Sequence, residues 1–108
     1  MNNNYDLNLK AELITNIKQG NEGIIPLKGI SMEPTLHEGD VLVVKSFSTY
    51  SIGDIIVFNY YLEGVLVHRI IDVRGSAFLC KGDNSKRTEI IMKRQIIGKV
   101  IRIFSGGN

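Results

Sequence analysis

The stretch that decides the fold is Asp54 to Lys81, DIIVFNYYLEGVLVHRIIDVRGSAFLCK. It contains three apolar runs rich in β-branched and aromatic residues: Asp54 to Tyr60, Val65 to Val73 and Ala77 to Lys81. Glu63-Gly64 and Arg74-Gly75-Ser76 separate them and read as hairpin turns. The same rhythm extends outward, with Ile24 to Leu27 and Asp40 to Val44 before it and Ile96 to Phe104 after it. Strands this short and regularly spaced, with almost no helix among them, predict a mainly β domain built as a compact sheet or small barrel. Pro26 cannot donate to a ladder, so its run belongs at an edge.

Upstream the texture differs. Asp6 is placed to cap a helix from about Leu7 to Lys18, with Leu9, Leu13, Ile14 and Ile17 near helical spacing on one apolar stripe. Gly20-Asn21-Glu22-Gly23 ends it, a glycine supplying the left-handed cap. The expected organisation is an N-terminal arm and helix over residues 1–22 and one β domain over residues 23–105, with frayed ends at the Asn tract and at Gly106-Gly107-Asn108. At 108 residues the chain can bury one real core.

The bulk properties exclude several function classes. A net charge of +2, with basic residues scattered apart from Lys86-Arg87 and Lys93-Arg94, is too weak to indicate a nucleic-acid partner. Cys80 lies in the apolar run Ala77-Phe78-Leu79-Cys80 and reads as a buried structural thiol. Two histidines and one cysteine make no zinc site, so no metal or other cofactor is expected. The N-terminus has no signal-peptide core, and no segment approaches the roughly 20 apolar residues of a membrane span. The expected location is therefore cytoplasmic or peripheral to a membrane.

The segment with chemical character is Gly29-Ile30-Ser31-Met32-Glu33-Pro34-Thr35-Leu36, followed by Glu38-Gly39-Asp40 and the run Val41 to Val44. A serine between a strand and a Pro-containing turn sits on rigid, exposed backbone, where its hydroxyl is presented and nearby N–H groups can bind an oxyanion. Read alone, the segment is more simply an ordinary loop in which Ser31 caps a turn. Likewise, alternation along Val65 to Val73 puts Leu66, His68 and Ile70 on one face, where a lone histidine is usually a satisfied core residue. His37, in the Leu36-His37-Glu38-Gly39 turn, reads as solvated.

Taken together, these segments resemble the signal peptidases and the related LexA-type serine peptidases, the S24/S26 group. Ser31-Met32-x-Pro34-Thr35-Leu36 with Gly39-Asp40 resembles their nucleophile box. Ser51 to Phe58 resembles the strand after it, and Val67-His68-Arg69-Ile70-Ile71 the strand carrying the general base. Lys81-Gly82-Asp83-Asn84-Ser85 resembles the last box of signal peptidases, and Ile97-Gly98-Lys99-Val100 the closing strand. The resemblance covers roughly residues 24 to 104, with five boxes in family order. Histidine rather than lysine at the base position is similar to the endoplasmic-reticulum and archaeal signal peptidases, which use Ser–His.

The resemblance implies a serine endopeptidase with Ser31 as nucleophile, His68 as general base and the Ser31 backbone N–H in the oxyanion hole. A neutral imidazole can accept the serine proton near neutral pH without the burial that a lysine requires. The family pattern also supplies acids to orient the histidine, from the Gly-Asp-Asn box and from a position just beyond it. Here those places hold Asp83 and Glu89. Asp83 is the expected orienter, although Gly-Asp-Asn-Ser also reads as a plain turn; Glu89 has a longer reach and reads more simply as a solvated surface charge. Many signal peptidases carry a hydroxyl two places before the nucleophile, where this chain has Gly29. Losing one oxyanion donor costs about 10²–10³ in rate.

The expected partner is a peptide, leader or precursor-protein substrate, which the resemblance implies is cut beside small side chains, with a membrane-bound partner as a further expectation of the resemblance. A peptidase-fold module that binds peptides without cutting them is the alternative. A self-cleaving LexA-type repressor fits less well, because the chain carries no DNA-binding domain and no Ala-Gly pair in its N-terminal arm. Nothing in the sequence fixes an oligomeric state.

Overall fold

The computed structural model describes the backbone of residues 4–106 and the side chains of residues 11–106. Of the ends expected to fray, residues 1–3 and 107–108 lie outside the described residues, whereas Asn4 is helical and Gly106 donates its N–H to Asp40 Oδ1 at 3.2 Å. A helix, α1 (Asn4–Lys18), precedes seven strands: β1 (Gly23–Pro26), β2 (Val41–Lys45), β3 (Ile55–Asn59), β4 (Val65–Arg74), β5 (Ala77–Lys81), β6 (Thr88–Met92) and β7 (Ile96–Phe104). They form one antiparallel sheet in the order β1-β2-β7-β3-β4-β5-β6, so the last strand enters the middle and joins the N-terminal pair to the central hairpins. The mainly β reading stands, and β1 with Pro26 is at an edge as expected.

Most elements fall where the periodicity put them. β5 and β7 match residue for residue, and the other expected strands shift by no more than a residue at either end. Both hairpins form. A 3₁₀ turn at Tyr61–Glu63 leads into Gly64, and the β4–β5 turn passes through Gly75. These two glycines take φ of 84° and 61°, a region side chains avoid. Asp6 corrects one expectation: the helix starts at Asn4, which leaves Asp6 in its first turn and not at its cap.

One strand was not expected. β6, Thr88-Glu89-Ile90-Ile91-Met92, has an inverted pattern in which Glu89 and Ile91 are buried and Thr88 and Ile90 are exposed. Apolar alternation cannot find a strand whose inward face begins with a carboxylate.

The core divides about β3, where Ile56, Val57 and Phe58 are all fully buried. Alternation sends Val57 to a cluster with Ile17 of α1, Leu27, Met32, Leu36, Leu42, Val44 and Ile97. Leu13 and Ile14 pack against the same cluster, so the helix stripe is spent on the sheet; the side chain of Leu9 lies outside the described residues. Ile56 and Phe58 join Tyr50, Ile70, Cys80, Ile91 and Ile96 in a second cluster. Cys80 is fully buried, and that burial, reinforced by the charge of Glu89, pushes its thiol up to about 12. It is a structural side chain and remains protonated at neutral pH. Among the described residues no helix is long and apolar enough to cross a membrane.

Candidate active site

Ser31 lies in the long connection between β1 and β2. The base of that connection is closed by backbone bonds from Leu27 N–H to Asp40 O (2.8 Å) and from Gly39 N–H to Leu27 O (3.0 Å). On either side of the Glu33-Pro34-Thr35 turn, in which Pro34 and Thr35 are exposed, Met32 and Leu36 are buried in the first cluster and joined by a Leu36 N–H to Met32 O bond of 2.9 Å. These two anchors hold the turn against the core and leave the neighbouring Ser31 only half-buried.

His68 lies on β4, paired with Ile56 of β3, and so projects with Ile56 and Ile70 into the second cluster. Its ring meets Phe58 edge to face, with centroids 6.1 Å apart. The histidine is 5% exposed, and its apolar surroundings leave it two polar neighbours. Nε2 lies 3.1 Å from Ser31 Oγ, and Nδ1 lies 2.7 Å from Glu89 Oε1. A carboxylate only accepts, so the ring is assigned its proton on Nδ1, which leaves Nε2 free to accept from the serine hydroxyl.

Sheet register explains how the glutamate reaches the histidine. Ile70 pairs with Cys80, and Cys80 pairs with Glu89, so the three side chains form a row across β4, β5 and β6 on the face that His68 shares. Past the end of β5, Gly82 leaves the space beside the ring open. A Cβ there would stand 2.6 Å from Ser31 O and 3.1 Å from His68 Nε2, closer than the serine loop could tolerate. Gly82 thus permits the loop and the strand to meet. Asn84 fastens the contact, its N–H donating to Ser31 O at 2.7 Å and its side-chain amide to Ile30 O at 3.1 Å.

The expectation for the two acids is reversed in position. Asp83 does not approach His68: its carboxylate accepts from Arg69 Nε (2.9 Å), Arg69 Nη2 (2.8 Å) and Thr35 Oγ1 (2.6 Å). The forked bond from Arg69, followed by the hydroxyl of Thr35, outweighs partial burial and holds the Asp83 carboxyl below its ordinary value of 3.8. Asp83 follows β5 in a turn, which aims it at Arg69, the half-buried neighbour of His68, and at the serine loop. Glu89, expected to be a solvated charge, is 0% exposed. Its second oxygen accepts from Arg87 Nε at 3.0 Å.

Arg87 is the site residue that sequence reasoning missed. Its two terminal nitrogens donate to Glu63, at 2.9 and 2.8 Å, while its guanidinium lies 5.6 Å from the Tyr60 ring centroid. Those carboxylates, Glu63 first, raise the guanidinium pKa. The available signal was its place two residues before Glu89, the i, i+2 spacing of side chains on one face of a strand. His37 is exposed and away from this cluster, as expected.

The chain is similar in sequence to known proteins. The chain is 25% identical over 115 aligned residues to the signal peptidase complex catalytic subunit SEC11 of Ogataea parapolymorpha, covering 82% of this chain and 65% of that protein. It is 38% identical over 71 residues to the signal peptidase complex catalytic subunits SEC11C of Homo sapiens and Mus musculus, covering 58% of this chain and 36% of each. The chain therefore spans less than two thirds of the length of these relatives. The Peptidase S24-like family profile matches residues 2–101, which takes in the helix, β1 to β6 and the greater part of β7. With nearly its whole length matched, the chain belongs to the S24-like peptidase family.

Proposed function

We propose that the protein is a signal-peptidase-like serine endopeptidase that cuts a peptide, leader or precursor protein through an acyl-enzyme on Ser31. The observation that carries this reading is the line from Ser31 Oγ through the His68 ring to Glu89, with contacts of 3.1 and 2.7 Å. His68 Nε2 takes the hydroxyl proton as Oγ attacks the scissile carbonyl carbon. Glu89 holds the ring in the required tautomer and faces the imidazolium that forms. The backbone N–H of Ser31 supports the oxyanion, without a side-chain donor at Gly29. When the tetrahedral intermediate collapses, the C–N bond breaks and the departing amine takes the proton from His68. Water then repeats the sequence on the acyl-enzyme, giving its proton to His68 and releasing the acid and the free serine.

The substrate would add as an extended strand, with alternate side chains entering pockets and small residues before the scissile bond, as the signal-peptidase likeness implies. The names of the relatives, catalytic subunits of a signal peptidase complex, support a further proposal, that the chain acts on its substrate beside partner subunits; that such a partner is held at a membrane is an implication of the signal-peptidase likeness. The test is incubation with a defined peptide library and sequencing of the new termini. New termini with a consistent residue preference, absent with Ser31→Ala, support the endopeptidase. Peptide binding that survives Ser31→Ala with no new termini would favour the non-cleaving module instead.

A further inference from the structure

Glu89 is buried with both oxygens engaged, one by His68 and the other by Arg87, and the guanidinium of Arg87 is itself clamped by Glu63 on the β3–β4 hairpin. We propose that Arg87 is a positioning residue for the catalytic histidine, acting through Glu89, and that Glu63 and the Tyr60 ring hold it in place. This rests on the Ser31–His68–Glu89 reading above.

The geometry assigns the three groups different tasks. A carboxylate with one bound oxygen can swing about its last torsion, whereas a bond on each oxygen fixes the plane in which Oε1 faces Nδ1. Arg87 has five donors in a rigid fork; one goes to Glu89 and two go to Glu63, which lies 24 residues earlier on the hairpin turn. The Tyr60 ring takes the face of the guanidinium. Arg87 is half exposed while Glu89 is fully buried, so the cation reaches in from the surface to an otherwise enclosed carboxylate. Depression of the Glu63 carboxyl, caused first by its bond from Arg87, is consistent with a formed pair.

Arg87 also adds a positive charge beside a coupled pair. A proton on either His68 or Glu89 disables the general base, so the relevant quantity is the proton affinity of the two together. A nearby cation lowers that affinity wherever the proton resides. The other charged groups around the ring are Arg69 on β4, compensated by Asp83; Lys81 on β5, bonded to Gly82 O; and Glu63 on the hairpin. Cys80, on β5, is neutral. Of these only Glu63 contacts Arg87, so removing the guanidinium also leaves the Glu63 carboxylate without its partner.

The experiment is the rate of Ser31 acylation by p-nitrophenyl acetate as a function of pH, with the modified residue located by peptide mass. Wild type is compared with Arg87→Met, Arg87→Lys and Arg87→Gln. Arg87→Met is expected to acylate at least ~10-fold more slowly near neutral pH, with the midpoint of its rise moved upward by about half a unit or more. Arg87→Lys keeps the charge and should recover the wild-type midpoint. If Arg87→Met does not fold, Arg87→Gln keeps a donor for Glu89, removes the charge and should show the same upward displacement. An unchanged midpoint in the folded neutral variants overturns the proposal, even where the rate falls at every pH. Failure of the underlying reading looks different: wild type would then acylate Ser31 no faster than His68→Ala does.

Discussion

At the scale of single residues, the site separates two carboxylates that the sequence presents as alternatives. Glu89 touches the imidazole and Asp83 touches Arg69 and Thr35, so their substitutions should fail in different ways. Glu89→Gln leaves the shape but offers His68 a neutral amide that can favour the wrong tautomer; kcat/KM should fall by about 10²–10⁴. Asp83→Asn should weaken the tie between the serine loop and β4, lowering thermal stability more than it lowers the rate of the intact fraction. Steady-state kinetics beside a melting curve for each variant separates these outcomes, and the opposite assignment would return Asp83 to the orienting role. The structure brings Ser31 and His68 together, a pairing that the resemblance of their segments suggested and that neither a Pro-containing turn nor an alternating strand indicates alone. The sequence left the partner of His68 between Asp83 and Glu89 and favoured Asp83, because the contact spans two strand pairings and no local pattern says which way a turn aspartate points.

At the scale of elements, the strands were legible wherever apolar residues alternate or run together, and β6 was not because Glu89 occupies an inward position. The same strand that breaks the pattern carries the buried acid, which is how functional sites commonly depart from local rules. The end of β5 offers a direct test. Gly82→Ala places a methyl group 2.6 Å from Ser31 O and 3.1 Å from the His68 ring, forcing the serine loop away. Ser31 acylation should drop at least ~10-fold, since small misplacements of reacting groups are costly. Unaltered acylation would mean that the loop accommodates the methyl group elsewhere. The helix is held by its packing: Ile17 is fully buried against the first cluster, and Ile17→Ala should destabilise the fold by about 2–5 kcal/mol in denaturant unfolding.

At the scale of the whole molecule, the carboxylates that tie distant parts together set its response to acid. Asp40 accepts from the backbone of His37 and of Gly106, joining the serine-loop base to the chain end, and those bonds lower its pKa. Asp72, Asp83 and Glu63 are lowered too, each first by its bond from an arginine. A depressed carboxyl contributes stability that is fully present above its unfolded value, 3.8 for Asp and 4.5 for Glu, and lost as pH falls through the folded one. These four groups should therefore leave their contribution to stability intact from neutral pH down to about pH 5 and withdraw it below about pH 4, as read by denaturant midpoints across that range. Loss of activity on mild acidification within the stable range would then report the active site and not unfolding, because the base must be neutral to work. The most direct test of the central claim is therefore covalent. Wild type, Ser31→Ala and His68→Ala are exposed to p-nitrophenyl acetate at neutral pH, and acetyl groups are located by peptide mass. Rapid acetylation of Ser31 in wild type, absent with Ser31→Ala and slowed by orders of magnitude with His68→Ala, is the expected result; equal labelling of Ser31 with and without His68 would contradict it.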